Sequence, residues 1–296
     1  MSDGATSSGR PFSGDRTVPD RAISVVSDLT AVRDPVWTRL RRDAESLAAG
    51  EPTLSSLVHT TILGHTKLEQ ALTYHLAHKL ANDDIGALQV HEVFSEAFHD
   101  DRGLGDAVRA DLEAIFDRDP AVSSLAEPFL FFKGFHALQS FRVTHWLWTR
   151  NRNALAFHFQ SRISEVFAVD IHPAARIGSG VMIDHGTGVV IGETAVVEDD
   201  VSLLHGVTLG GTGKDRGDRH PKVRRGVLIG AGASILGNTE IGAYSRIGAG
   251  SVVLRPVPPE STAVGVPARV VGRAGCSNPA REMNQIIEDW PGDYQI

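Results

Sequence analysis

The sequence predicts an α+β chain in which an α-helical domain precedes a parallel β-helix. Between residues 34 and 168, apolar residues recur at helical spacing, and from Val169 onward an aliphatic residue recurs every six positions. The length of 296 residues also exceeds the usual size of one domain. We therefore expect a disordered extension over 1–33, a helical domain over 34–168, a β-helix over 169–272 and a flexible tail over 273–296.

Composition and net charge argue against some classes of binding partner. Hydrophobic residues make up 42% of the chain, its formal charge is -7, and no apolar run approaches the roughly 18 residues of a membrane span. A nucleic acid or an anionic membrane would require a basic face, so neither is expected as a partner. Cys276 has no second cysteine to pair with and the N-terminus lacks the apolar core of a signal peptide, which predicts a cytoplasmic protein.

The extension over 1–33 is rich in Ser, Gly, Asp and Arg, so it can bury too little apolar surface to offset the entropy of ordering. The first helix follows it. Asp34 can cap this helix, Pro35 suits its first position and Gly50 ends it. Its apolar stripe consists of Trp37, Leu40, Ala44 and Leu47.

A second helix begins near Thr66, which is spaced from Glu69 as in a capping box. One face carries Leu68, Leu72, Leu76 and Leu80. Similar stripes predict helices within 84–99, 104–117, 134–150 and 153–167. Histidines 65, 75 and 78 share no metal-ligand spacing with an acid or a cysteine, so we place them on polar faces or interfaces.

After Asp170 the spacing changes to six. The period is carried by thirteen aliphatic residues: Ile171, Ile177, Ile183, Ile191, Val197, Leu203, Leu209, Val223, Ile229, Ile235, Ile241, Ile247 and Val253. Each hexapeptide can supply one short strand with one aliphatic side chain inward, and three hexapeptides make one triangular coil. Coils stacked at about 4.8 Å satisfy one another's backbone hydrogen bonds. The spacing does not determine the handedness of the coil.

The period is broken by a two-residue insertion between Ile183 and Ile191 and by a longer excursion between Leu209 and Val223. Breaks in a repeat usually form loops on a binding face. The first break contains His185, which can accept a proton near neutral pH if an acid orients it. On this pattern alone, a catalytic role for His185 and a purely structural role at a corner both stay open.

Several loops together resemble one family closely. They are DPAV at 119–122, KGFHALQ at 133–139, VDIHPAA at 169–175, DHGTGVVIGETAV at 184–196, VTLGGTGK at 207–214, GDRHPK at 217–222, IGAGA at 229–233, IGAGSVV at 247–253 and GVPARVVG at 265–272. From about Asp34 to Gly272 the chain resembles the bacterial serine acetyltransferases of the hexapeptide-repeat acyltransferase superfamily. The resemblance implies a left-handed β-helix and trimers that pair through their helical domains into a hexamer.

The resemblance also implies a reaction and its residues. Acetyl-CoA would donate its acetyl group to the hydroxyl of L-serine, with no metal, and L-cysteine would inhibit from the serine site. The implied catalytic pair is His185 and Asp170. The implied substrate and CoA residues are Asp119 and Asp184 for the ammonium, Arg219 and His220 for the carboxylate, and Gly211, Ala231 and Ala249 for pantetheine, with Arg246 or Lys222 as candidates for a phosphate. The tail ending in Ile296 would bind O-acetylserine sulfhydrylase.

Three alternatives use the same repeat. A hexapeptide acetyltransferase for a sugar or a xenobiotic would share the base and differ in the acceptor loops. A γ-type carbonic anhydrase would need a zinc site, for which His172, His185, His205 and His220 are the available histidines. A noncatalytic scaffold would need neither His185 nor Asp170. Cys276 has no neighbouring base in the sequence, so we do not expect it to act as a nucleophile.

Overall fold

The computed structural model describes residue 1 and residues 34–213 and 216–286. Residues 2–33 and 287–296 lie outside this range, so the predicted disorder of the extension and the predicted contact of Ile296 with a sulfhydrylase stay predictions. None of the helices in the described range is long and apolar enough to cross a membrane.

The helical domain confirms the predicted stripes. Its helices are α1 (Pro35–Gly50), α2 (Ser55–Val58), α3 (Leu68–Leu80), α4 (Ala87–Asp100), α5 (Arg102–Arg118), α6 (Ala126–Phe131), α7 (Lys133–Thr149) and α8 (Asn153–Phe167). The short helices α2 and α6 are too brief to show a periodic stripe, so the sequence did not reveal them.

Of the two predicted helix caps, the one at α1 is confirmed and the one at α3 is wrong. Asp34 caps α1 as predicted, because its side chain accepts a hydrogen bond from the Trp37 N–H at 3.0 Å. The capping box at α3 is wrong. Thr66 instead donates its hydroxyl to Gln70 at 2.9 Å. Glu69 binds Arg109 of α5 at 2.6 Å, so an ion pair between helices has replaced the local cap.

His75 is buried between helices and not on a polar face, which is the interface alternative of the prediction. Its side chain packs against His136 with ring centroids 4.9 Å apart. His75 donates to the Leu130 carbonyl at 3.1 Å and His136 donates to the Phe129 carbonyl at 2.8 Å, so the pair fastens α6 to the core. Burial, with smaller contributions from neighbouring cationic groups, lowers the pKa of His75 to about 4 and that of His136 to about 3.

These buried histidines predict a loss of stability in acid. Both imidazoles stay neutral in the fold, whereas in the unfolded chain each titrates near its ordinary pKa of 6.5. Their contribution is therefore complete above about pH 6.5 and is lost as the pH falls toward the folded values. The loss should approach about 1.4 kcal/mol per pH unit for each histidine. Urea unfolding between about pH 7 and pH 5 should show this slope in the wild type and a smaller one in His75→Gln; equal slopes would contradict the assignment.

The part of the chain that follows the helical domain is a parallel β-helix, as predicted. Its strands are β1 (Val169–Ile171), β2 (Arg176–Ile177), β3 (Met182–Ile183), β4 (Val189–Ile191), β5 (Val196–Val197), β6 (Ser202–Leu203), β7 (Thr208–Gly210), β8 (Lys222–Val223), β9 (Leu228–Ile229), β10 (Ser234–Leu236), β11 (Glu240–Ile241), β12 (Arg246–Ile247), β13 (Val252–Val253), β14 (Ser261–Gly265) and β15 (Ala268–Arg273). They form three faces. Sheet A contains β1, β4, β7, β10 and β13; sheet B contains β2, β5, β8 and β11; sheet C contains β3, β6, β9, β12, β14 and the antiparallel β15.

The strand register explains the six-residue period. All thirteen predicted aliphatic residues lie on strands, and all except the half-buried Ile177 are buried in the core. Val223 pairs with Ile241, one regular coil away. Ile171 pairs with Ile191 across the first insertion, and Leu209 pairs with Ile235 across the second. The insertions leave the core in register because both are extruded at corners.

Residues 274–286 correct the predicted boundary of the flexible tail, because they pack on sheet C and α5. The segment includes α9 (Pro279–Glu282). Ser202 donates its hydroxyl to the Ala280 carbonyl at 2.8 Å, and Arg281 pairs with Asp117 at 2.7 Å. The polar composition of residues 274–286 gave no indication of these contacts in the sequence. The outward residues of sheet C are consequently buried: Met182, Ser202, Leu228, Arg246 and Thr262.

Candidate active site

The first insertion projects His185 out of the β-helix. It forms a loop over 184–188 at the corner where sheet C passes into sheet A, which we call the C/A edge. His185, Gly186 and Gly188 adopt left-handed backbone conformations with φ of 56°, 74° and 77°. Gly188 donates to the carbonyl of Ala168, the residue that ends α8, at 2.8 Å. The side chain of His185 is 72% exposed, so its imidazole is accessible to a substrate.

The start of α7 holds this loop, which gives the KGFHALQ motif a structural role. A Cβ on Gly134 would lie 2.0 Å from the Ile183 carbonyl oxygen, so helix and loop approach closely because residue 134 has no side chain. Lys133 donates from its ammonium to the Thr187 hydroxyl. The position of His185 is therefore fixed from the helical domain as well as from the β-helix.

One carboxylate lies beside His185, and a second interacts with the first. Asp184 Oδ2 is 3.8 Å from His185 Nε2, and Asp119 approaches from the C-terminal end of α5. Burial raises the pKa of Asp184, and the Asp119 carboxylate raises it further, while His185 and His205 act in the opposite direction. Two neighbouring acids of this kind are suited to an ammonium group, which would relieve their repulsion.

The corners of successive coils lie above His185 along the C/A edge. His205 lies at the next corner, with its ring 5.7 Å from that of His185, and Ala231 and Ala249 occupy the two corners above. Backbone N–H groups of Gly206, Gly232 and Gly250 donate to carbonyls one coil below, at 2.8 to 2.9 Å. From the sequence, His205 was considered only as a possible zinc ligand. It follows His185 by the length of one coil, and this spacing could have indicated that the two rings lie close together.

The second insertion lies at the other end of sheet A, at the corner where sheet A passes into sheet B, which we call the A/B edge. Arg219 pairs with Glu193 at 2.7 Å. The His220 ring contacts the Thr194 hydroxyl at 2.9 Å and packs over Gly192, where a Cβ would lie 2.1 Å from the ring. Burial lowers the pKa of His220, with Arg219 adding to the effect. Sequence reasoning missed the supporting roles of Glu193 and Thr194, whose partners are 26 residues away.

The predicted CoA residues are divided between the two edges. Gly211 lies beside Arg219 and His220 at the A/B edge, whereas Ala231 and Ala249 lie at the C/A edge. Neither candidate for the phosphate is free. Lys222 binds Asp218 at 2.6 Å, and Arg246 is buried beneath the carbonyls of residues 284 and 286.

Asp170 lies on the outer side of β1 in sheet A, and its carboxylate accepts a hydrogen bond from Gln160 at 2.7 Å. Among the described residues, no hydrogen bond or ion pair joins Asp170 to His185. Catalytic hydrogen bonds often form only when substrate is bound, and the role of Asp170 stays a prediction.

Within one chain, the predicted site therefore falls into two groups. Asp119, Asp184 and His185 are at the C/A edge, and Arg219 and His220 are at the A/B edge. The strands of sheet A separate these edges by roughly 13 Å, the span of four extended residues. The histidines considered for zinc are divided in the same way, with His185 and His205 at one edge and His172 and His220 at the other. Among the described residues, no group of three His, Cys, Asp or Glu side chains has an arrangement that could hold a metal.

Comparison with known proteins agrees with the fold. Residues 36–140 match the family model of the serine acetyltransferase N-terminal domain, and residues 220–255 match the bacterial transferase hexapeptide model of six repeats. A serine acetyltransferase of Haemophilus influenzae is 55% identical over 252 residues, which are 85% of this chain and 94% of that protein.

Two solved structures are similar over nearly their whole length. One is a serine acetyltransferase in complex with cysteine, with a TM-score of 0.84, 55% identity, and coverage of 85% of this chain and 98% of that one. The other is the Brucella abortus serine acetyltransferase in complex with coenzyme A, with a TM-score of 0.81, 50% identity, and coverage of 83% and 98%. The chain therefore belongs to the serine acetyltransferase family of acyltransferases.

Proposed function

We propose that the chain transfers the acetyl group of acetyl-CoA to the hydroxyl of L-serine, giving O-acetyl-L-serine and CoA. The observation that carries this proposal is the exposed imidazole of His185 beside the paired carboxylates of Asp184 and Asp119. The carboxylates suit the ammonium of an amino acid, and the imidazole suits its hydroxyl. A sugar or xenobiotic acceptor without an ammonium group would not use these acids.

In this mechanism His185 accepts the proton of the serine hydroxyl while the oxygen attacks the thioester carbonyl. The tetrahedral intermediate collapses, the carbon–sulfur bond breaks, and the CoA thiolate takes the proton from His185. Asp170 orients the imidazole once substrate is bound. The thioester is already activated, so one base suffices and an acyl-enzyme is not required.

The two edges would meet across a subunit interface. Sheet C is covered by α5 and residues 274–286, and sheet B exposes charged side chains such as Arg176 and Glu240. The outward side chains of sheet A are mainly uncharged and at least partly exposed: Asp170, Val190, Thr208, Ser234 and Val252. If three chains turn sheet A toward a common axis, the C/A edge of each chain meets the A/B edge of the next in a closed ring.

This arrangement would complete both subsites. The serine ammonium would contact Asp119 and Asp184 of one chain, and its carboxylate would contact Arg219 and His220 of the next, where arginine can donate two parallel hydrogen bonds. The pantetheine arm would follow the groove between neighbouring chains, past Ala231 and Ala249 on one side and Gly211 on the other. We propose that two such trimers pair through their helical domains into a hexamer located in the cytoplasm.

The test is release of the CoA thiol from acetyl-CoA by the purified chain, measured with L-serine, other amino acids and sugars as acceptors. L-serine should be the preferred acceptor, because it presents ammonium, carboxylate and hydroxyl together. L-cysteine, which replaces the hydroxyl with a thiol and keeps both charged groups, should inhibit competitively against L-serine. Preferential acetylation of a sugar would contradict the proposal, and the absence of competition would contradict inhibition from this site.

A further inference from the structure

The residue before Asp119 is a buried arginine. The side chain of Arg118 is 5% exposed and ends α5 against the β-helix. Its guanidinium donates to the Val201 carbonyl at 3.3 Å and to the Ser202 hydroxyl at 3.1 Å, and lies 3.6 Å from the half-exposed carboxylate of Asp200. Arg118 thus attaches the last turn of α5 to the coil that contains β6.

The burial of Arg118 is poorly compensated. Burial lowers the pKa of its guanidinium, and its Nε is buried without a hydrogen-bond partner in the described residues. A buried charge with incomplete hydrogen bonding is weak evidence for a role in stability, since well-packed apolar side chains often replace such groups without loss. A role in placing neighbouring groups accounts for it better.

Three consecutive residues connect this attachment to the ammonium subsite. Asp117 pairs with Arg281 of the packed C-terminal segment, Arg118 binds β6, and Asp119 ends the helix. The Asp119 carboxylate is oriented by the Ala121 N–H, which donates to Oδ1 at 2.9 Å. The direction of the Asp119 side chain is therefore set locally, and its distance from Asp184 depends on where α5 ends.

We propose that Arg118 is a positioning residue for amino-acid recognition: by clamping the end of α5 to β6, it places the Asp119 carboxylate beside that of Asp184. This inference rests on the proposed function and adds a residue that does not touch the substrate. Ser202 belongs to the same clamp, because its hydroxyl accepts from Arg118 and donates to the Ala280 carbonyl.

The test compares Arg118→Met with the wild type in the full-length protein. Methionine keeps the length of the side chain, removes the charge and releases the end of α5. The KM for L-serine should rise about tenfold or more, as expected when a charged hydrogen bond is weakened, while the KM for acetyl-CoA changes less than about twofold. Arg118→Lys should give an intermediate KM for L-serine, since a lysine ammonium cannot reproduce the fork of the guanidinium. Ser202→Ala should shift the same KM in the same direction, by less.

The matched control is Arg273→Met, because Arg273 is 90% exposed and pairs loosely with Glu260 at 3.6 Å. It should leave both KM values unchanged. Unchanged KM for L-serine in folded Arg118→Met, or an equal loss for both substrates, would overturn the proposal. If Arg118→Met does not fold, the Lys and Ser202 variants decide the question by the same ratio of KM values. Calorimetry of L-serine binding separates the proposed reaction from the proposed role of Arg118. A wild type that binds L-serine without acetylating it would contradict the reaction. Comparing its affinity for L-serine with that of the Arg118 variants would still test the positioning role.

Discussion

Replacing His185 with asparagine is expected to lower kcat about 10²–10⁴-fold, the usual contribution of a general base. Asparagine is the appropriate substitution because residue 185 has a left-handed backbone with φ of 56°, a conformation that asparagine tolerates better than alanine does. The exposed imidazole makes few packing contacts, so the fold should be unaffected. Asp170→Asn should also lower kcat, by less, because it disturbs the orientation of the base and leaves the imidazole in place.

Thiol release at saturating acetyl-CoA and L-serine measures this effect, with the melting temperature and oligomer size as checks on folding. His65→Asn is a matched control, since the His65 ring contacts Thr60 and Tyr74 of the helical domain. A folded His185→Asn protein with near wild-type kcat would remove His185 from the mechanism.

Replacing Asp111 with alanine is expected to destabilise the protein by about 3–5 kcal/mol, the usual effect of breaking a buried ion pair. Asp111 is fully buried and pairs with Arg142 at 2.7 Å. It also accepts hydrogen bonds from Gln139 Nε2 and from the Val181 N–H, both at 2.9 Å. Arg142 in turn donates to the Gly178 carbonyl at 2.7 Å, so this cluster joins α5 and α7 to the first coil of the β-helix.

Denaturant unfolding measures the loss. Arg273→Ala breaks an exposed pair and should change the free energy of unfolding by less than about 0.5 kcal/mol. Asp111→Leu combined with Arg142→Met should be less destabilised than Asp111→Leu alone, because it leaves no unpaired buried guanidinium. A loss in Asp111→Ala as small as that in Arg273→Ala would show that the cluster does not hold the two domains together.

The β-helix could be predicted almost completely from the sequence because its core is one-dimensional. Each coil requires an aliphatic residue at a fixed spacing, so Ile229, Ile235 and Ile241 reveal three successive strands without any long-range information. The insertions were equally visible, since they interrupt that spacing. The stripe of α1 and its cap at Asp34 follow from local rules of the same kind.

What the sequence did not reveal depends on partners that are distant along the chain. Glu69 forms an ion pair with Arg109 and does not form the expected cap. Glu193 forms an ion pair with Arg219. The polar composition of residues 274–286 predicts mobility, yet Arg281 and Ala280 contact α5 and β6. The resemblance named the site residues without placing them in space, and their separation into two edges follows from the topology of sheet A.

The central claim, that one active site uses His185 of one chain and Arg219 of the next, is tested most directly by mixing two inactive variants. His185→Asn and Arg219→Ala would be co-expressed with different tags, and oligomers containing both would be purified by the two tags in turn. In a mixed trimer, one of the three interfaces pairs a native C/A edge with a native A/B edge. Serine-dependent thiol release should therefore recover to at most about one third of the wild-type rate, although each variant alone is nearly inactive. Mixed oligomers as inactive as the separate variants would contradict a site shared between chains.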